Sequence, residues 1–271
     1  MTTDTIRQWV ASWMVAWLFL TRVPLPTGWC RWAKTEEIPL YRTVVFFPWV
    51  GLVLGGILWL ADTGLRLFFS PFLSALFLVV LLVVLTGGLH LDGWMDTADG
   101  LLGGRDRERA LAIMKDSRVG AFGVLALVLL LLLKWGGLAE LGGVRGPLLL
   151  LMPVAGRVAM TGCVLFWPDA RSGRGIGSLF HASSAAEATR RRRRLWGWVS
   201  MLSASGIVGV ICGLVGWLTL WTAVAFGWWM AARIAGRLGG LTGDVYGAVN
   251  EAVEVAAVYG FLLIMLVAPL P

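Results

Sequence analysis

Charge is what this sequence has least of. Only 14% of its 271 residues are Asp, Glu, Lys or Arg, against about 25% in soluble domains. A chain so poor in charge cannot cover a water-facing surface, which excludes an ordinary soluble enzyme. Cysteine is as thin: Cys30, Cys163 and Cys212 are odd in number and unclustered, which excludes a disulfide framework and a thiolate zinc site. The first apolar stretch, residues 8–21, has only Arg7 ahead of it and no small-residue cleavage pattern behind it, so a cleavable signal peptide is not expected. No internal repeat is visible. What is present is apolar: 58% of residues are hydrophobic and the mean hydropathy is +0.78. The solvent for most of such a chain is lipid.

A helix crossing a hydrocarbon core of about 30 Å needs roughly 20 residues. Uncharged runs near that length cover 43–61, 67–89, 119–133 with Lys134 snorkelling from its end, and 146–167 interrupted by Arg157. Residues 195–232 hold no charge at all. As one helix they would extend about 57 Å, so the run is split near 213–216. A last span begins near Ala248. The expected fold is all-α: one polytopic membrane helix bundle over 1–271, with about seven transmembrane helices. An N-terminal helix, with Trp9, Trp13 and Trp17 on one face, is interfacial or a short span. The 35 glycines suit close approach of membrane helices.

Basic residues collect in alternate loops. Eighteen lie within 22–42, 105–118, 171–194 and 233–237, while the opposite loops hold Arg66, Lys134 and Arg145. The positive-inside rule puts the larger set in the cytoplasm, so the expectation is a multi-pass protein of the cytoplasmic (inner) membrane. The net charge of +7 then sets topology before it implies a nucleic-acid partner, and Arg190 to Arg194 are read as contacts to anionic membrane lipid.

Six acidic residues fall between Asp92 and Asp116, in HLDGWMDTADGLLGGRDRERALAIMKDSR. Asp92, Asp96 and Asp99 at i, i+4 and i+7 share one helix face. Their repulsion is tolerable if a divalent cation neutralises it, and hard oxygen donors suit Mg²⁺, Mn²⁺ or Ca²⁺; the bland alternative is a solvated acidic loop. Emerging directly after an apolar run favours function. Asp116, just before the next span, is placed to return to the first three. Arg105, Lys115, Ser117 and Arg118 follow closely, and carboxylate-bound metal beside Arg and Lys is what phosphoryl transfer from a nucleoside diphosphate requires. Arg107 and Arg109 serve equally well as topology determinants. His90 is either a general base toward an alcohol or a hydrogen-bond partner of a carboxylate.

A second polar group comes from GGLTGDVYGAVNEAVE, with Asp244, Asn250, Glu251 and Glu254. Carboxylates entering an apolar helix call for a metal, a basic partner or water. Asp244, Glu251 and Glu254 are therefore expected either to face the Asp92 group across a cavity or to form interhelical salt bridges, with Arg157 and Arg233 the nearest basic candidates.

Through FLTRVPLP (19–26), Arg42 with FFPWVG (46–51), GGLHLDGWMDTADG (87–100), MKDSRVGAFG (114–123) and LTGDVYGAVNEAVE (241–254), the chain resembles the cobalamin synthase family, the adenosylcobinamide-GDP ribazoletransferases. SGRGIGSLF at 172–180 is similar to that family's weaker central motif, and Arg190 to Arg194 match nothing in it. The resemblance implies a Mg²⁺-dependent membrane transferase that joins adenosylcobinamide-GDP to α-ribazole, or its 5′-phosphate, and releases GMP. On that chemistry the metal ligands are Asp92, Asp96, Asp99 and Asp116, and the catalytic groups His90, Asp99 and Asp116. Substrate contacts come from Arg105, Lys115, Ser117, Arg118, Asp244, Asn250, Glu251 and Glu254. Membrane lipid is a partner, nucleic acid is not, and a homo-oligomer stays open. Two rival classes use similar residues: a CDP-alcohol-type phosphotransferase acting on a lipid alcohol, whose motif differs from the D-x3-D-x2-D-G found here, and a cation-coupled transporter, whose acidic residues would sit at mid-membrane in paired halves.

Overall fold

Proline and glycine punctuate a chain whose composition otherwise propagates helix. The computed structural model describes residues 3–35, 38–171, 179–180 and 187–267. Its helices are α1 (Thr3–Leu20), α2 (Thr27–Ala33), α3 (Phe47–Leu65), α4 (Pro71–Thr86), α5 (Leu89–Gly103), α6 (Arg107–Ile113), α7 (Ala121–Glu140), α8 (Gly146–Phe166), α9 (Glu187–Leu238) and α10 (Gly243–Val267). Pro48, Pro71 and Pro147 each stand in the first turn of a long helix, where the missing N–H has no intrahelical partner to lose. The chain is an all-α membrane bundle, as its composition requires.

Five helices are long and apolar enough to cross a membrane, or six if the bent pair α4 and α5 counts as one span. The expectation was seven, and the difference lies in α9. Its hydrogen bonding runs over 52 residues, but Gly213 has φ +69 inside it. Trp198 and Trp228 would be about 45 Å apart on a straight helix; their ring centroids are 6.1 Å apart. A Cβ on Gly209 would meet Trp217 at 3.0 Å. Both pairs are centred on residue 213, so α9 folds back there as two antiparallel arms. Glycine is required because the left-handed conformation strains any residue with a Cβ.

At the centre is α8, an 18-residue stretch of which is wholly buried. It packs against α3, α9 and α10. Gly51 and Gly55 of α3 set the closest of these approaches: a Cβ at either would lie 2.7 Å from α8 backbone, the small-residue packing that membrane helices use in place of a hydrophobic drive. At one end of the bundle Asp62 and Arg145, both fully buried, join α3 to α8 at 2.6 Å, and Arg66 reaches the other Asp62 oxygen at 3.1 Å. Arg145 also donates to the carbonyls of Pro71 and Leu138, so one guanidinium stitches four helices.

α1 is not among the candidate spans. Its Trp stripe is a packing face: Trp17 is buried and donates to the Val23 carbonyl, Trp13 stacks on Trp17, and Trp9 meets Phe46 and Trp196 edge-on. At the end opposite Asp62, Gly87 and Gly88 both take positive φ and turn the chain by 91° from α4 into α5. α5 therefore lies across the end of the bundle, over the starts of α7 and α10.

Candidate functional site

Two glycines let α5 reach α10. A Cβ on Gly93 would lie 2.6 Å from the Asp244 carbonyl oxygen, and one on Gly247 would lie 3.1 Å from that of His90. This contact carries the α5 carboxylates to the N-terminus of α10. Asp92 is exposed and Asp96 half-buried, and neither is in an ion pair among the described residues. Burial, then the neighbouring charges of Asp244, Asp92 and Asp99, push the Asp96 carboxyl up to about 7. That congestion is what a cation would relieve.

Asp244 is held in place from a distant segment. Residues 168–170 pair with Leu241 through Ala170 N–H to Leu241 O and Leu241 N–H to Pro168 O, both 2.9 Å. The pairing brings Arg171 to Asp244 at 2.7 Å, and Thr242 Oγ1 donates to the same carboxylate at 3.2 Å. Arg107 clips the same loops by donating to the carbonyls of Leu238 and Ala170, and Arg237 ties the end of α9 to the end of α5 by donating to those of Leu101 and Gly104.

His90 opens α5, buried, with its Nε2 lacking a hydrogen-bond partner among the described residues. Burial, then the cations Arg157 and Lys134, hold its pKa well below the usual value, so the imidazole is neutral at pH 7 and able to take a proton. With Asp92 and Asp244 it lines a cavity of about 120 Å³ that is walled by Phe19, Phe47 and Phe180.

The other expected ligands are engaged elsewhere. Asp99 is buried and accepts the N–H groups of Gly120 (2.7 Å) and Gly123 (2.8 Å); it caps the N-terminus of α7, where a carboxylate also meets the helix dipole. Asp116 binds Arg118 at 2.6 Å, and the hydrogen bonds from that guanidinium lower its carboxyl to about 2. Arg105, Lys115, Ser117 and Arg118 are exposed. Among the described residues no three His, Cys, Asp or Glu side chains converge as a metal cage. The free set, Asp92 and Asp96 beside Asp244, fits a cation of another habit: Mg²⁺ is commonly held by one or two carboxylates together with substrate phosphate oxygens and water.

Deeper along α10, about 10 Å of helix rise beyond Asp244, lies a separate buried network. Lys134 donates to Glu251 (2.5 Å) and Glu254 (2.7 Å), Arg157 pairs with Glu254, and Asn250 Nδ2 donates to Glu254 at 3.1 Å. Lys134 is 3% exposed; it turns inward instead of snorkelling. Glu251 and Glu254 thus make the interhelical salt bridges, with Lys134 and Arg157 as partners, while Arg233 lies over the Trp229 ring. Sequence reasoning missed Lys134 and Arg171. The rule applied to Glu251, that an ionisable group in an apolar helix needs a partner, would have flagged Lys134 as well. Arg171 carries no such signal, because its position depends on the pairing with Leu241.

Comparison with known proteins gives one consistent result. The family model described as "Cobalamin-5-phosphate synthase" matches residues 12–262. Similar curated proteins include adenosylcobinamide-GDP ribazoletransferases from Brevibacillus brevis, 38% identical over 87% of this chain and 91% of that protein, from Desulfitobacterium hafniense, 39% over 91% and 94%, and from Pseudomonas entomophila, 44% over 83% and 88%. No solved structure matches.

Proposed function

The chain belongs to the cobalamin-5-phosphate synthase family, and from that premise we propose how its site works. It transfers the phosphocobinamide moiety of adenosylcobinamide-GDP to α-ribazole or its 5′-phosphate, with GMP as the second product. The observation that carries the reading is the joining of Asp92, Asp244 and His90 at one cavity where α5 crosses the start of α10, with the Asp96 carboxyl close enough to feel the charges of Asp92 and Asp244.

In the reaction, a ribose hydroxyl of the acceptor forms the new O–P bond at the phosphorus that bears the cobinamide arm. The bond from that phosphorus to the bridging oxygen breaks, and GMP leaves with the electron pair. The hydroxyl proton goes to the neutral imidazole of His90, which lines the cavity. Asp92 and Asp96 would hold Mg²⁺, which would neutralise charge on the diphosphate. Arg171 fixes Asp244 against α5 and leaves donors of its fork for phosphate. Phe19, Phe47 and Phe180 exclude water from the reacting atoms. The site sits at the end of the bundle that bears the basic loops, and the positive-inside rule supports reading that end as the cytoplasmic side of the inner membrane.

The test is substrate choice by the purified protein in lipid nanodiscs. Adenosylcobinamide-GDP with α-ribazole and Mg²⁺ is expected to release GMP, and EDTA to stop it. CDP-diacylglycerol with an alcohol is expected to release no CMP; release of CMP alone would replace this reading with the lipid-alcohol one.

A further inference from the structure

A larger cavity, about 430 Å³, lies between the start of α1, the turns before α3 and the first turns of α9. Arg42, Arg192 and Arg193 line it, with no carboxylate in the lining among the described residues. None of the three is in an ion pair there. Among the described residues the Arg42 guanidinium donates only to the neutral amide of Gln8, at 3.2 Å, and Arg192 is exposed. Arg193 donates Nη1 to the Phe180 carbonyl, while its buried Nε has no acceptor among the described residues. Three like charges around one hollow, one with an orphaned N–H, are an arrangement that an anion completes.

The remaining chemistry of the wall is aromatic. Trp9 stands edge-on to Trp196, with ring centroids 5.3 Å apart, and Tyr41 lines the same space. Arginine forks take phosphate oxygens bidentately, and exposed rings take a flat base by stacking. The volume is in the range of about 300–1,000 Å³ typical of small-molecule sites. A solvated, lipid-facing run would leave the arginines of 190–194 unengaged, whereas Arg193 is half-buried and Arg194 donates to the Leu165 carbonyl at 3.3 Å.

We propose that this cavity binds a phosphorylated ribonucleoside, with the phosphate on Arg42, Arg192 and Arg193 and the base against Trp9 and Trp196. It adjoins the acidic cavity: Val45 and Phe46 line one and Phe47 the other, and Arg193 is tied to Phe180, which walls the acidic side. The identity of the ligand rests on the function proposed above. Two participants in that reaction have this chemistry, the guanosine end of the donor and the 5′-phosphate form of the acceptor.

Binding and turnover separate the sources. Calorimetric titration of the purified chain in phosphatidylcholine nanodiscs, made with and without phosphatidylglycerol, with GMP and with α-ribazole 5′-phosphate, is expected to show one of them binding in both. Arg42→Gln and Arg192→Gln should each weaken it about tenfold, the usual worth of a charge-assisted hydrogen bond. Arg190→Gln, exposed and outside the lining, should not. In turnover, a raised KM for the donor assigns the guanosine end. A raised KM for α-ribazole 5′-phosphate, with that for α-ribazole unchanged, assigns the acceptor. The proposal is overturned if the wild-type chain binds neither nucleotide, if both Arg variants bind as well as wild type, or if they lose only a dependence on phosphatidylglycerol in the nanodisc. A chain that fails to turn over yet binds a nucleotide through Arg42 and Arg192 would overturn the transferase reading and leave this one standing.

Discussion

A carboxyl group at a pKa of about 7 is half protonated in neutral solution, and Asp96 is such a group because it is partly buried beside Asp244, Asp92 and Asp99. A cation held there displaces that proton. The sign follows: the protonated fraction falls as pH rises through 7, so the Mg²⁺ concentration for half-maximal activity should fall between pH 6 and pH 8, as a metal titration at each pH would record. Asp96→Asn should cost about 100-fold or more in activity at saturating substrate, since even outer partners of metal ligands are worth about 10–100-fold. Asp99 is a different kind of residue. Both its oxygens are taken by the N–H groups of Gly120 and Gly123, and an amide supplies only one acceptor for the two. Asp99→Asn should therefore lower stability by about 1–3 kcal/mol, seen as a lower Tm, while the Mg²⁺ half-saturation of the residual activity stays where it was.

At the scale of the helix, a buried ionic network joins α7, α8 and α10. Lys134 and Arg157 oppose Glu251 and Glu254, so the group is neutral as a whole and loses that balance when one member is removed. Lys134→Met should destabilise by about 3–5 kcal/mol, the cost of stranding a buried charge. Lys134→Met combined with Glu251→Gln should recover much of the loss, which thermal unfolding of both variants in one detergent would check. These pairs also mark where sequence stops informing. A charge-free run too long for one span, and a glycine at 213 able to reverse it, could be read without a structure. So could the shared face of Asp92, Asp96 and Asp99, which α5 keeps. Which of those carboxylates stays free was not readable, because Asp99 is claimed by amides 21 and 24 residues away, and only the placement of α5 over the start of α7 brings them together. The same holds for Arg171, whose partner is set by a two-bond pairing between the loops at 170 and 241.

For the whole molecule, the two ends differ in what their basic residues are bound to. Arg66 and Arg145 at one end are both spent on Asp62, and Lys134 is drawn into the interior. At the other end Arg105, Arg109, Arg190 and Arg192 stand exposed, so the free positive charge lies beside the acidic cavity. Residues counted by the positive-inside rule act during insertion, before such pairs form, and their number points the same way as the folded charge does. The proposed cytoplasmic orientation would put both cavities on the side where nucleotides are found, and it can be tested without substrate. With Cys30, Cys163 and Cys212 replaced by Ser or Ala, single cysteines at Arg109 and at Val144, both exposed positions at opposite ends, should label oppositely in intact cells. A membrane-impermeant maleimide is expected to reach Val144→Cys at once and Arg109→Cys only after the membrane is opened. The reverse order would put the acidic cavity outside the cell, away from any cytoplasmic nucleotide, and would refute the placement of the reaction while leaving the geometry of the site intact.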